Sequence, residues 1–352
     1  MRRENEGTFF YKIDDAFAVF LPLLFSDTGS GEKNDPHPEK PRVLFVPHDN
    51  RPISDEQTAD TLRMMHWDIA VPPDELLGSR GVLGDPEAVW EWLEKEAPTA
   101  NIAVISSDTL LYGSLVGSRK HTYTPAVIEA RLNKFRAFKA RHPHLHLYVF
   151  GSIMRTPRSA EASGGEEPGY YASYGGDIFR FTALSDKQET DGLTRREKKE
   201  YGFLQRLIPE AALEDWLARR NKNFRASEGL IALTREGIFD YLALGRDDNA
   251  PFSQTHMESR HLTEAGADLG KTRFQTMAGI DEIALLMLTR AVNEQRHEIP
   301  FVYPRYNWGP GAETVPAYSD EKISTSISDA VLAAGGMVVR APEKADVVLT
   351  VN

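Results

Sequence analysis

An α/β fold with a mainly parallel sheet is predicted by three observations. Short β-branched runs alternate with helical patterns from Pro41 onward, the signature of βαβ units. The apolar run ending at Leu244 breaks into Gly245-Arg246-Asp247-Asp248-Asn249, as a buried strand does when it delivers polar groups to a site. Asp, Arg, Asn and aromatic residues gather after several other runs in the same way. About eight strands in βα alternation favour a barrel-like arrangement, with an open doubly wound sheet and a second α/β unit from near Phe301 as the alternative.

The expected strands are Val43–Val46, Asp68–Val71, Ile102–Ile105, His146–Phe150, Phe239–Leu244, Phe274–Met277, Phe301–Tyr303, Met337–Arg340 and Val347–Val351. The expected helices begin with Ser54–Met65, where Ser54 is the N-cap and Gln57 takes the capping-box position. Pro86–Lys95 follows Asp85, and Pro125–Arg141, Asp281–Glu294 and Ser319–Ala334 complete the set.

One connection, Thr156 to Gly237, is far longer than a crossover requires. The connection opens with Ser159–Gly169, which has a loop composition, and continues with Tyr170-Tyr171-Ala172-Ser173-Tyr174-Gly175-Gly176, while Ser185–Ile208 and Glu210–Arg225 read as charged helices. Such an insertion after a strand end commonly covers a binding site. The organisation expected is a leader and linker at 1–40, a main α/β domain at 41–300 carrying the insertion at about 156–237, and a further α/β segment at 301–352.

Ala16–Phe25 has the length of a signal-peptide core and is too short to span a bilayer, while Glu4, Glu6, Asp14 and Asp15 are out of place in a cationic leader. A degenerate export signal and a leader packed on the fold both stay open, and with them exported and cytoplasmic locations. A formal net charge of -11 excludes an extended basic groove, so no nucleic-acid partner is expected. With no cysteine there is no disulfide, thiolate nucleophile or Cys-ligated metal. No phosphate-loop, dinucleotide or nucleophile-elbow motif occurs, so no nucleotide cofactor is expected.

In parallel α/β folds ligands meet the loops beyond the strand C-termini. Those positions hold Asp49, Asn50 and Arg51; Asp108, Tyr112 and Arg119; Arg155; Arg246, Asp247, Asp248 and Asn249; Asp281 and Glu282; and Arg305. Each has a plainer reading. Asp49 and Asn50 suit an Asx turn before Pro52, Asp108 a turn cap, and Asp281-Glu282 a helix N-terminus. The arginines suit surface charges. Five of them near strand ends in an acidic chain nevertheless suit a pocket for a carboxylate, phosphate or sulfate.

Asp247 and Asp248 can converge only if the strand has already ended, because consecutive strand residues face opposite ways. Two chemistries then fit. Neighbouring carboxyls can divide acid and anion roles in glycoside hydrolysis, and adjacency suits the substrate-assisted form, in which one orients an acetamido nucleophile and the other protonates the leaving oxygen. The same oxygens are hard ligands for Mg, Mn or Ca. Tyr170, Tyr171 and Tyr174, and Tyr303 and Tyr306 with Trp308, could stack a sugar ring or simply pack.

Together Asp49-Asn50-Arg51-Pro52, Ser107-Asp108-Thr109-Leu110-Leu111-Tyr112-Gly113-Ser114 with Ser118-Arg119, Gly245-Arg246-Asp247-Asp248-Asn249-Ala250-Pro251 and Gly279-Ile280-Asp281-Glu282 resemble an uncharacterised bacterial family, domain of unknown function 4127. The resemblance runs from about Pro41 to the last residue. It implies that these clusters belong to one site and that a C-terminal part of the family's length is missing; the apolar run Ala345–Asn352 with no closing helix gives the same expectation.

The functional expectation is a hydrolase acting on a small-molecule or glycan substrate, an acetamido or acidic sugar, with Asp247 and Asp248 as catalytic carboxyls. The alternatives are a divalent-metal-dependent enzyme on a phosphate or carboxylate substrate, and a non-enzymatic sugar- or anion-binding protein.

Overall fold

Val43–Val46 forms strand β1, buried along its whole length, as a β-branched run covered on both faces should be. It pairs in parallel with β2 (Ile69–Ala70) on one side and β3 (Ile102–Ser106) on the other. The ladder continues through β4 (His146–Ile153), β5 (Tyr241–Arg246) and β6 (Phe274–Ala278), giving the order β2-β1-β3-β4-β5-β6 with every pair parallel. β2 and β6 each have one neighbour among the described strands, the order of an open sheet. A second, three-stranded parallel sheet has the order β8-β7-β9, from β7 (Phe301–Tyr306), β8 (Met337–Val338) and β9 (Val347–Val351).

The computed structural model describes residues 41–79, 81–161, 163–307, 310–317 and 319–351. The leader Ala16–Phe25 and Trp308 lie outside them. Within them, 41–284 with 317–320 form one compact unit and 285–316 with 321–351 another. No described helix is long and apolar enough to cross a membrane.

All nine expected strands are present; β3, β4, β6 and β7 run one to three residues further than expected, β2 and β8 are two residues shorter, and β5 is shifted two residues along. Helix α1 (Glu56–Met64) departs from expectation at its start. Ser54 donates its N–H to the Arg51 carbonyl in a turn, and the N-cap falls on Asp55, whose side chain caps nothing. The capping box expected from Ser54 and Gln57 is therefore absent. Helix α2 (Pro86–Glu96) starts as expected, Asp85 accepting from the N–H groups of Glu87 and Ala88 at 3.0 and 3.1 Å.

Burial first, then the nearby Asp74, pushes the Asp55 carboxyl up to about 6. The folded chain thus holds this proton more tightly than the unfolded one. Its contribution is fully present below the ordinary carboxylate range and is lost as pH rises to about 6. Asp55→Asn should raise stability by about 1 kcal/mol at pH 8, discounted for partial solvent screening, and change little at pH 4. Urea midpoints at the two pH values check this.

Helices α3 (Ser107–Tyr112) and α4 (Leu115–Lys120) follow β3, and α5 (Pro125–Arg141) returns to β4. One core joins Val46, Ile105, Val149 and Leu244 of the sheet to Trp90, Phe135 and Phe138 of the helices. The insertion between β4 and β5 forms α6 (Tyr171–Thr190), α7 (Arg195–Leu207) and α8 (Glu210–Arg235), with its own core of Ile178, Phe181, Leu184, Leu204 and Trp216. The tyrosine-glycine stretch forms the first turns of α6. Tyr171 is 1% exposed there, its hydroxyl donating to the Pro157 carbonyl at 2.7 Å, and Gly175 leaves room for its ring. These aromatics pack rather than line a site. Helix α9 (Gln254–Ala265) follows β5, α10 (Ile283–Arg296) follows β6, and α11 (Ile323–Ala333) precedes β8.

Candidate functional site

The sheet order reverses direction at β1, with β2 to one side and β3 to β6 to the other, and such a point is where open α/β sheets bind ligands. Residues beyond the C-terminal ends of β1, β3, β4, β5 and β6 meet there.

Beyond β1, Asp49 is fully buried and accepts from the Arg51 Nε at 2.9 Å and from the Arg51 N–H at 3.2 Å. The Asx turn is thus real, and it also aims Arg51, whose charge is felt by Asp281 and Glu166. Asn50 donates its N–H to the Gly78 carbonyl. His48, 2% exposed, places Nδ1 2.9 Å from Ser106 Oγ and 3.2 Å from Asp108 Oδ2. Asp108 in turn accepts from the Ser152 N–H at 2.9 Å, tying the ends of β3 and β4 together.

Arg119 lies in the last turn of α4 and is 2% exposed, donating to Glu166 at 2.6 Å and to Asp247 at 2.8 Å. Arg155, 8% exposed beyond β4, donates to Glu167 at 3.0 Å, Asp248 at 2.9 Å, Glu166 at 3.2 Å and the Ser163 carbonyl at 2.7 Å. Two arginines and four carboxylates form one continuous network.

Insertion helix α8 braces both arginines from behind. Arg220, 1% exposed and paired with Glu258, donates to the carbonyls of Arg155 and Met154 at 2.8 and 2.6 Å. Asn223 donates to the Ser118 carbonyl at 2.7 Å, and Arg219 to that of His121 at 3.2 Å. Burial, only partly offset by Asn223, lowers His121 to about 4. Its neutral ring therefore donates from Nε2 to Asn223 Oδ1 at 2.9 Å. The insertion thus supports the site from behind.

Strand β5 ends at Arg246, so Asp247 and Asp248 lie past the regular strand and can serve one place. Asp248 has φ +39°, a left-handed conformation that aspartate tolerates better than most residues and that tends to mark functional sites. Burial and then the charge of Asp247 push the Asp248 carboxyl up, against Arg155. Asp281 keeps an exposed surface, yet crowding by protein and then Asp247 raise its carboxyl too. Burial raises Glu282, with Asp281 and Asp247 adding to it. Both follow Gly279, whose φ of +92° and contact with the Glu282 carboxylate leave no room for a side chain.

Other predicted positions fall elsewhere. Tyr112 is in the core, stacked 4.8 Å from His121. Arg246 is held by Ser259, Thr276 and Asp320, the last at 3.2 Å. Asn249 accepts from the Ser253 hydroxyl at 2.8 Å and organises the start of α9. Arg305 is exposed on β7, in the other compact unit.

Sequence reading missed Glu166, Glu167 and His48. The two glutamates sit in a Gly-rich segment whose composition signals only a loop; an adjacent carboxylate pair in a long insertion was the available clue. Among the described residues, no three His, Asp or Glu side chains are grouped as a metal ion requires. A hollow of 510 Å³ between α5 and α8, floored by Ile128, Leu132 and Leu233, shares no lining residue with the network.

No curated protein matches the chain. A family model matches residues 43–352, nearly the whole chain; the chain belongs to the family of proteins of unknown function DUF4127.

Proposed function

We propose that the chain is a hydrolase of glycosidic bonds, with Asp248 as general acid and Asp247 as its neighbouring anion. The observation that carries this reading is a carboxyl held up by burial and by an adjacent aspartate, at the C-terminal edge of a parallel sheet. A raised carboxyl keeps a proton to give. Asp247, ion-paired with Arg119 at 2.8 Å, supplies fixed charge beside it.

Adjacent residues cannot flank a bond from both sides, so the substrate-assisted route fits best. Asp247 orients an acetamido group whose oxygen attacks the anomeric carbon. The bond from the anomeric carbon to the glycosidic oxygen breaks, and Asp248 gives its proton to that leaving oxygen. Water then opens the cyclic intermediate, returning a proton to Asp248.

The test is hydrolysis of a panel of aryl glycosides, acetamido sugars among them, by the wild type and by Asp247→Asn and Asp248→Asn. Turnover of an acetamido glycoside that falls in both variants is the expected result. Turnover unchanged in both would sink the assignment.

A further inference from the structure

One oxygen of Glu166, Oε2, accepts from Arg119 Nη1 at 2.6 Å and from Arg155 Nη2 at 3.2 Å. Two buried guanidinium groups thus converge on a single carboxylate position. Their own supports are regular elements: Arg119 lies in the last turn of α4, Arg155 follows β4, and α8 holds the carbonyls of Ser118 and Arg155. The carboxylate they share comes from a different kind of segment. Gly164 and Gly165, both exposed and left-handed at φ +58° and +75°, lead into Glu166, whose side chain is 14% exposed.

We propose that Arg119 and Arg155 are the seat for a carboxylate of the ligand, and that Glu166 occupies this seat until a ligand carboxylate displaces it. The choice of a sugar acid as ligand rests on the glycan reading above. The seat itself rests on the geometry.

Three features support the exchange. Each arginine keeps partners when Glu166 leaves: Asp247 for Arg119, and Glu167, Asp248 and the Ser163 carbonyl for Arg155. Neither charge is then stranded. The two nitrogens released point at one oxygen position, which an oxygen of an incoming carboxylate fills as Glu166 Oε2 does. Exchange of one monoanion for another also leaves the local charge unchanged, whereas a phosphate dianion would add charge beside Asp247 and Asp248. The seat therefore favours carboxylate over phosphate.

Calorimetric titration of the full chain with D-galacturonate, D-galactose and inorganic phosphate tests this. These probes contain no glycosidic bond, so binding and hydrolysis succeed or fail separately. Glu166→Ala should bind galacturonate about tenfold or more tighter than the wild type, because the competing charge-assisted contacts are gone. Glu166→Gln, which keeps the bulk and an acceptor, should show a smaller gain and guards against misfolding of the first variant. Galactose binding should not change in either, and adding Arg119→Met to Glu166→Ala should abolish the gain. No gain for galacturonate, an equal gain for galactose, or a larger gain for phosphate would each overturn the proposal.

Discussion

Replacing Arg155 with Met is expected to lower the unfolding free energy by about 3–5 kcal/mol, the cost of removing one partner from a buried ion network. Arg155 has four recorded acceptors, and Glu167 is the one that decides the magnitude. Its side chain is 1% exposed, and burial already pushes its carboxyl up against the pull of Arg119 and Arg155. Without Arg155, Glu167 loses its hydrogen-bond donor and one of the charges that offset its burial, and must either stay charged with only Arg119 and Arg220 nearby or take a proton. The loss should therefore be largest at pH 8 and shrink toward pH 5, as Glu167 and Asp248 protonate. The exposed pair Arg136–Glu236 is the control, since breaking it should cost less than about 1 kcal/mol. Urea midpoints for Arg155→Met and Arg136→Met at the two pH values are the measurement. Equal small losses would show that the network has no role in holding the site together.

That network explains why the sequence reveals one half of the site and hides the other. Residues anchored to strand ends are legible, because a buried parallel strand is a continuous apolar run and its end is marked by the first charges. Asp49, Asp247, Asp248 and Asp281 were found on that basis, and they interact electrostatically in the fold. Glu166 and Glu167 arrive from a loop with no periodicity, so their role depends on long-range contacts, 47 residues in the case of Arg119 and Glu166. The same limit applies to strand order. Alternating β and α runs imply parallel strands, but the choice between a barrel and an open sheet lies in which strands pair, and pairing leaves little trace in one sequence.

Local signals failed where another contact, a neighbouring turn or a tertiary one, outbid them. Ser54 has the right chemistry for an N-cap, yet the turn closed by the Arg51 carbonyl moves the helix start by one residue. Tyr171 to Gly176 carries two glycines that disfavour a helix. Burial of Tyr171 and Ile178 in the insertion core makes it helix, with Gly175 filling the space beside an aromatic ring. Tyr112 follows a strand end and has a functional side chain, but α3 turns it into the core. Position after a strand selects candidates; only packing shows which way each one faces.

The acid role of Asp248 makes a sharper demand than loss of activity. Asp248→Asn should lower kcat on an acetamido glycoside by about 10²–10⁴-fold, because an amide cannot deliver the proton. Asp247→Asn should also slow turnover, and in addition it should move the pH profile. Asp247 is the charge that, after burial, raises Asp248, so removing it lowers the Asp248 pKa. The basic limb of kcat marks loss of the acid's proton, so in Asp247→Asn that limb should shift to lower pH. Arg155 acts in the opposite sense: Arg155→Met removes a positive charge that holds Asp248 down, and the limb should move to higher pH in whatever fraction remains folded. Opposite displacements by two variants that flank the same carboxyl would identify Asp248 as the titrating group. A limb that stays in place in both would transfer the acid role to another raised carboxyl of the site, Asp281 or Glu282, and leave Asp248 as a partner of Arg155.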